Sequence, residues 1–265
     1  MNEKLLEIKN LTIRYHNQKT AVEDVSFNVP QQSIVAIVGE SGSGKSTLIR
    51  SIIGLMTSGG TIESGEIWFQ EKNLVTYSNQ EMHEIRGNKI SMIFQDGGSY
   101  LDSKKKIGYQ FVETIRSHLK ISKIAAREKA IEMLKQLCLC DAERVMNAYP
   151  FMLSGGMCQR VAIAMGMTMN PQLLLADEPT SALDVTIQAQ VVRQMAELRN
   201  DYGTTILLVT HNMGVAAYLA DYVVVMKAGQ LVEWGACDQI IDHPQDPYTR
   251  QLLSAVPELK VGCVG

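Results

Sequence analysis

The chain opens on alternation. Leu6, Ile8, Leu11, Ile13 and Tyr15 are separated by mostly polar residues, the pattern of a strand with one buried face. Val22, Val25, Phe27 and Val29 continue it as far as Pro30. The run Ser33-Ile34-Val35-Ala36-Ile37-Val38 is almost wholly apolar and ends at Gly39, as a strand covered on both faces should. A helix is expected from 44 or 45 to about 53, with Gly54 as its stop. Residues 65–69 read as a further strand.

The period then changes. Val112, Ile115 and Leu119, followed by Ala130, Met133, Leu134 and Leu137, lie at helical spacing and predict a helical insertion over 108–140. Another helix is predicted over 154–170, opened by a Ser154 cap and closed before Pro171. Leu173-Leu174-Leu175-Ala176 and Thr204-Thr205-Ile206-Leu207-Leu208-Val209 read as two more buried strands. Between them runs a helix that Asp184 can cap and that reaches about Arg199; a short helix follows the second strand. Lys227-Ala228-Gly229 joins two apolar stretches as a hairpin. Strands alternating with helices predict the α/β class with a mainly parallel sheet. The tail after Gly235, carrying Pro244, Pro247 and Pro257, is expected to be a peripheral appendage.

Composition narrows the function. With 28 acidic and 25 basic residues the net charge is −3, so no basic excess exists to drive binding to a phosphate backbone. No apolar run reaches the roughly 18–20 residues of a membrane span. The segment Met1-Asn2-Glu3-Lys4-Leu5-Leu6-Glu7 interleaves charges with leucines and holds no signal-peptide core. The expectation is a chain neither secreted nor integral to a membrane. The five cysteines, Cys138, Cys140, Cys158, Cys237 and Cys263, are odd in number and scattered, so they read as structural thiols rather than a disulfide framework.

Two segments carry chemistry. Gly39-Glu40-Ser41-Gly42-Ser43-Gly44-Lys45-Ser46 is a phosphate-binding loop pattern with a buried strand before it and a helix after it. Its glycines let the backbone curl so that N–H groups face phosphate oxygens, and the helix N-terminus adds its positive end. Lys45 is expected to reach the β- and γ-phosphates, and the Ser46 hydroxyl to hold Mg²⁺. Asp177-Glu178 ends a buried strand. Asp177 suits the Mg²⁺ shell, and Glu178 suits positioning or deprotonating a water.

With these in place, Leu153-Ser154-Gly155-Gly156-Met157 resembles the signature motif of ABC-type ATPases. Tyr15 lies where that family places an aromatic on adenine, and Gln95 resembles the glutamine that touches Mg²⁺ and senses the permease. Ser181-Ala182-Leu183-Asp184 is similar to the family's dimer-interface loop, and His211 to its γ-phosphate-contacting histidine. The resemblance spans about residues 5–235 and rests on the joint order of the motifs. It implies a P-loop NTPase core, an N-terminal antiparallel β subdomain and an inserted α-helical subdomain. The expected domain is 1–240, with the helical part at about 97–156 and a short extension at 241–265. The implied ATP ligands are Tyr15, the loop from Gly39 to Thr47, and Gln95. Catalysis falls to Glu178 and His211, and Mg²⁺ to Ser46, Gln95 and Asp177. The signature residues Ser154, Gly155, Gly156 and Met157 would contact the ATP of a partner subunit, with Ser181 and Asp184 at the dimer interface.

Met157 and the stretch from His243 to Leu253 narrow the resemblance to the peptide and nickel importer branch. That branch implies an ATPase on the cytoplasmic face of the cell membrane, partnered by a sister ATPase, two transmembrane subunits and an external solute-binding protein. Some members bind an iron–sulfur cluster in a cysteine-rich tail; the single Cys263 here leads us to expect none. One departure stands out. The branch usually carries Asp-Pro after the glutamine, whereas here Asp96 is followed by Gly97-Gly98, predicting a more flexible loop. The rival readings are a soluble ABC-type ATPase acting on DNA or ribosomes and a non-catalytic nucleotide-binding regulator. Glu178 and His211, both present, weigh against the second.

Overall fold

The computed structural model describes residues 3–16, 19–57, 59–180 and 185–255. Its elements run β1 (Lys4–Tyr15), β2 (Thr20–Pro30), β3 (Ile34–Val38), α1 (Lys45–Ile52), β4 (Gly60–Phe69) and β5 (Lys72–Asn73). Then come α2 (Asn79–Ile85), β6 (Ile90–Ile93), α3 (Ile107–His118), α4 (Lys123–Gln136), α5 (Ala142–Asn147), α6 (Gly155–Met167) and β7 (Leu173–Asp177). Last are α7 (Val185–Tyr202), β8 (Thr205–Val209), α8 (Met213–Leu219), β9 (Tyr222–Lys227), β10 (Gln230–Ala236), α9 (Cys237–Asp242) and α10 (Pro247–Ser254). The chain divides into two compact units: the first runs to Thr76 and resumes at Leu207, and the second is Tyr77–Ile206.

In the first unit β1 is the inner strand of an antiparallel sheet ordered β2-β1-β4-β5. Its apolar positions Ile8, Leu11 and Ile13 are buried, as the alternation predicts. A second set of strands is ordered β10-β9-β3-β8. All five residues of β3 are buried, and β3 runs parallel to β9. The β9–β10 hairpin turns through Ala228 and Gly229, both at positive φ (48° and 89°), a geometry that matches strand twist. The β4 strand begins five residues before the expected start at Gly65.

The tail expectation is corrected. Residues 236–255 are not peripheral: Cys237 and Ile240 of α9 and Tyr248 of α10 are buried with Ala36, Val38 and Val225 in one core cluster. Three prolines suggested a peripheral appendage, but Pro247 stands at the first turn of α10, where a missing N–H costs nothing. Asp246 caps that helix, its carboxylate accepting from the Tyr248 amide at 2.7 Å. Burial first, then the carboxylates of Asp238, Asp221 and Asp242, pushes the Cys237 thiol up to about 11, so it behaves as a packed apolar group.

In the second unit β6 and β7 pair in parallel, with Ile93 opposite Ala176. Gly166 of α6 lies 3.5 Å from Ile93 Cγ1 and 3.7 Å from Leu174 Cδ1 when a Cβ is added, so α6 packs closely on this pair. The helices α3 and α4 bury Ile115, Ala130, Met133 and Leu134 of the stripe read from the sequence, but Val112 and Leu119 are only half-buried and the fully buried Phe111 stands in their place. Helix α2 was not anticipated, although Ser78-Asn79-Gln80-Glu81 forms a reciprocal capping box. The structure thus has the expected α/β character, with an antiparallel N-terminal sheet and an inserted run of helices.

The Gly97-Gly98 expectation is also corrected. These residues form a 3₁₀ turn, Gly97–Tyr100, packed on α6. The Gly97 N–H donates to the buried Gln159 Oε1 at 2.9 Å, a bond that proline could not make. A Cβ at Gly97 would meet Ala162 Cβ at 2.7 Å and Gln159 Oε1 at 2.9 Å. Glycine here serves close packing, not freedom. Gly97→Ala should therefore destabilise the protein by about 1–3 kcal/mol through overpacking. Denaturant unfolding checks this; an unchanged midpoint would show that the turn has room.

Candidate functional site

The loop between β3 and α1 is built by backbone contacts. Gly39 has φ 147° and Gly44 has φ 99°. A Cβ at Gly39 would stand 2.1 Å from the Met226 carbonyl oxygen of β9, and one at Gly44 would stand 2.2 Å from the Ala21 carbonyl oxygen of β2. Only glycine fits either place. The Gly229 amide donates to the Ser43 carbonyl at 3.1 Å, and the Ser43 amide to the Glu40 carbonyl at 3.2 Å, so the loop is tied to the hairpin and to itself. Gly42, at φ 81°, has nothing within 4 Å of an added Cβ and faces open space.

Lys45 is 4% exposed and lies along the inside of this curl. Its ammonium donates to the carbonyls of Gly39 (2.8 Å) and Glu40 (2.7 Å) and to Ser43 Oγ (3.3 Å). Tyr15 reaches the first turn of α1: its hydroxyl is 3.2 Å from Thr47 Oγ1 and accepts from Thr57 Oγ1 at 3.0 Å. The structure thus brings Tyr15, Lys45 and Thr47 to one loop–helix junction. His211 follows β8, exposed, one residue after Thr210, whose amide donates to the Ile37 carbonyl of β3 at 3.1 Å.

In the second unit Asp177 is the last residue of β7 and is fully buried. Glu178 follows at φ 46°, an uncommon conformation for a non-glycine residue and one further disfavoured before Pro179. Such backbone strain persists only where its surroundings fix it, and it clusters at functional positions. Gln95 lies two residues beyond β6, whose Ile93 is opposite Ala176, so Gln95 and Glu178 leave neighbouring strand ends. Ser154 caps α6, its hydroxyl accepting from the Met157 amide at 3.3 Å, and an added Cβ on Gly155 would have nothing within 4 Å. Ser181 and Asp184 lie outside the described residues.

The donors fit their intended ligands. A helix N-terminus behind a glycine curl with a buried lysine suits a polyphosphate. The Ser46 hydroxyl, the Gln95 amide oxygen and the Asp177 carboxylate are hard oxygen donors of the kind Mg²⁺ takes. One residue beside the loop escaped the sequence reading. Tyr248 Oη accepts from the Glu40 amide at 2.9 Å across 208 residues. Its helix start was legible in Asp246-Pro247, but its contact with the loop had no local signal.

Comparison with known proteins shows the family. Residues 22–181 match the family described as ABC transporter, and residues 232–262 match the oligopeptide/dipeptide transporter C-terminal region. The dipeptide transport ATP-binding protein DppD of Lactococcus lactis is 44% identical over 96% of this chain and 74% of its own length. The oligopeptide transport ATP-binding protein OppD of Bacillus subtilis is 45% identical over 97% of this chain and 73% of its own. Among solved structures, a dimeric ATP-binding cassette bound to ADP and Pi superposes with a TM-score of 0.78 at 28% identity, covering 88% of this chain and 98% of that one. CbiO1 of Clostridium perfringens, part of an ABC transporter complex, gives 0.78 at 27% identity over 97% of both chains. The chain belongs to the ABC transporter family, as an ATP-binding cassette with ATPase activity. No helix among the described residues is long and apolar enough to cross a membrane.

The cradle yields a direct test. Gly44→Ala forces a side chain into left-handed backbone and against the Ala21 carbonyl. ATP affinity, measured by equilibrium binding, should fall at least about tenfold. Wild-type affinity would show that the curl is not the phosphate site.

Proposed function

We propose that the chain is the ATP-hydrolysing subunit of an importer, and that its cargo is peptides. The observation that carries the ATPase chemistry is the glycine curl that closes around a buried Lys45 at the N-terminus of α1. In this reading the loop from Gly39 to Thr47 holds the phosphates, with Lys45 trading its carbonyl partners for β- and γ-phosphate oxygens. Tyr15 supports the adenine. Ser46, Gln95 and Asp177 would hold Mg²⁺, which when bound neutralises charge on the β- and γ-phosphates. Glu178 orients the attacking water or takes its proton, and His211 steadies the γ-phosphate. The strained backbone at Glu178 supports its role, because strain of this kind serves to aim a reacting group.

Each chain supplies half a site. The stretch Ser154, Gly155, Gly156 and Met157 opens α6 with Ser154 as its cap, and the N-terminus of that helix suits the γ-phosphate of a second subunit's ATP. Ser181 and Asp184 would line the interface of that head-to-tail pair. The domain limits we assign are 1–240 for the cassette, with the helical part at about 97–156 and an extension at 241–265. The partners are a sister ATPase, two transmembrane subunits and an extracytoplasmic solute-binding protein, with the chain held peripherally on the cytoplasmic face of the membrane. No nucleic-acid partner is expected from a net charge of −3. Of the two cargo classes the branch suggests, the match of residues 232–262 and the names of the relatives support peptides over nickel.

Uptake tests this reading. Cells lacking the gene would carry the wild-type copy or Glu178→Gln and be offered labelled peptides and labelled nickel in parallel. Peptide uptake should return with the wild-type copy alone. Nickel uptake restored in its place would move the chain to the metal branch. Restoration by Glu178→Gln would remove that residue from hydrolysis.

A further inference from the structure

The Gly39–Glu40 peptide group is gripped at both ends. Its carbonyl, on Gly39, accepts from Lys45 Nζ at 2.8 Å. Its N–H, on Glu40, donates to Tyr248 Oη at 2.9 Å. A peptide hydrogen-bonded in both directions is polarised along its length, so each bond strengthens the other. The two side chains come from opposite ends of the chain, and one of them is the P-loop lysine.

Tyr248 is itself held firmly. Its ring is 4% exposed and packs with Ala36, Val38 and Val225. Lys227 Nζ stands 4.7 Å from the ring centroid, a cation–π contact. The Glu233 carboxylate of β10 accepts from the amides of Gln245 (2.7 Å) and Asp246 (3.0 Å), fixing the entry to α10. The Asp246 cap then sets the first turn of that helix. The ring could fill its place in the core without a hydroxyl. The hydroxyl is directed at the loop.

We propose that Tyr248 is a positioning residue for ATP binding: its hydroxyl fixes the Gly39–Glu40 peptide so that the Lys45 ammonium is presented to the incoming phosphates. The inference rests on the reading of Lys45 as a phosphate ligand. It assigns the C-terminal extension a part in the nucleotide site. A lysine that must exchange carbonyl partners for phosphate oxygens does so best from a carbonyl that cannot swing away. Loss of the hydroxyl leaves the ring packing intact and frees the peptide to rotate, so the cost falls on ATP capture before any chemistry.

The test uses the purified full chain, assayed for ATP binding alone and for ATPase activity with its partner subunits. Tyr248→Phe should raise Kd and KM for ATP about three- to tenfold, with kcat falling by a smaller factor. Tyr248→Leu, which also empties the core, should in addition lower the melting temperature. In a double-mutant cycle on ATP affinity, Tyr248→Phe should add little to Lys45→Ala, because both act through one peptide. A Tyr248→Phe KM within about twofold of wild type overturns the proposal, as does a full additive loss in the Lys45→Ala background. If Lys45→Ala alone leaves ATP affinity unchanged, the phosphate-loop reading itself fails and the proposal falls with it.

Discussion

The loop between β3 and α1 depends on two close approaches of backbone to backbone. Gly39 sits where any side chain would overlap the Met226 carbonyl, and Gly44 where it would overlap that of Ala21. These contacts press the loop against β9 and β2, and they force the curl that turns Lys45 inward. Hydrophobic burial of β3 and its neighbours supplies the rigid floor on which so tight a turn can be held. Without it the positive backbone angles of the loop would relax.

The same construction recurs at each strand end. Parallel strands buried on both faces carry almost no charged side chains, so in the proposed site the chemistry is displaced to the residue or two beyond them. Gly39 follows β3, Gln95 follows β6, Glu178 follows β7 and His211 follows β8. Asp177 is the exception, a carboxylate fully buried within the last position of its strand. The extension joins this scheme from outside the sheet. Helix α10 completes the core with the Tyr248 ring and reaches the loop with its hydroxyl.

Much of this was legible in the sequence because it is local. The five apolar residues of β3, the hairpin at Ala228-Gly229 and the capped start of α6 each follow from a few adjacent residues. The candidate phosphate loop was legible because its glycines, lysine and serine follow a fixed spacing between a strand and a helix. What escaped was long-range or counter to propensity. Gly97-Gly98 suggested freedom, yet Ala162 and Gln159 leave no room for a side chain at Gly97. The prolines after Gly235 suggested a peripheral appendage, yet one of them starts a helix whose Tyr248 is buried in the core. No pattern within the tail could reveal that Tyr248 meets Glu40, since that contact exists only once the sheet is assembled.

In the proposed function this cassette turns over ATP with Glu178 acting on the attacking water. Phosphate release by the chain with its partner subunits tests it most directly, with wild type and Glu178→Gln compared at saturating ATP. Glu178→Gln should release phosphate at least about a hundredfold more slowly while ATP stays bound and the paired subunits stay closed. Phosphate release by Glu178→Gln at the wild-type rate would contradict it.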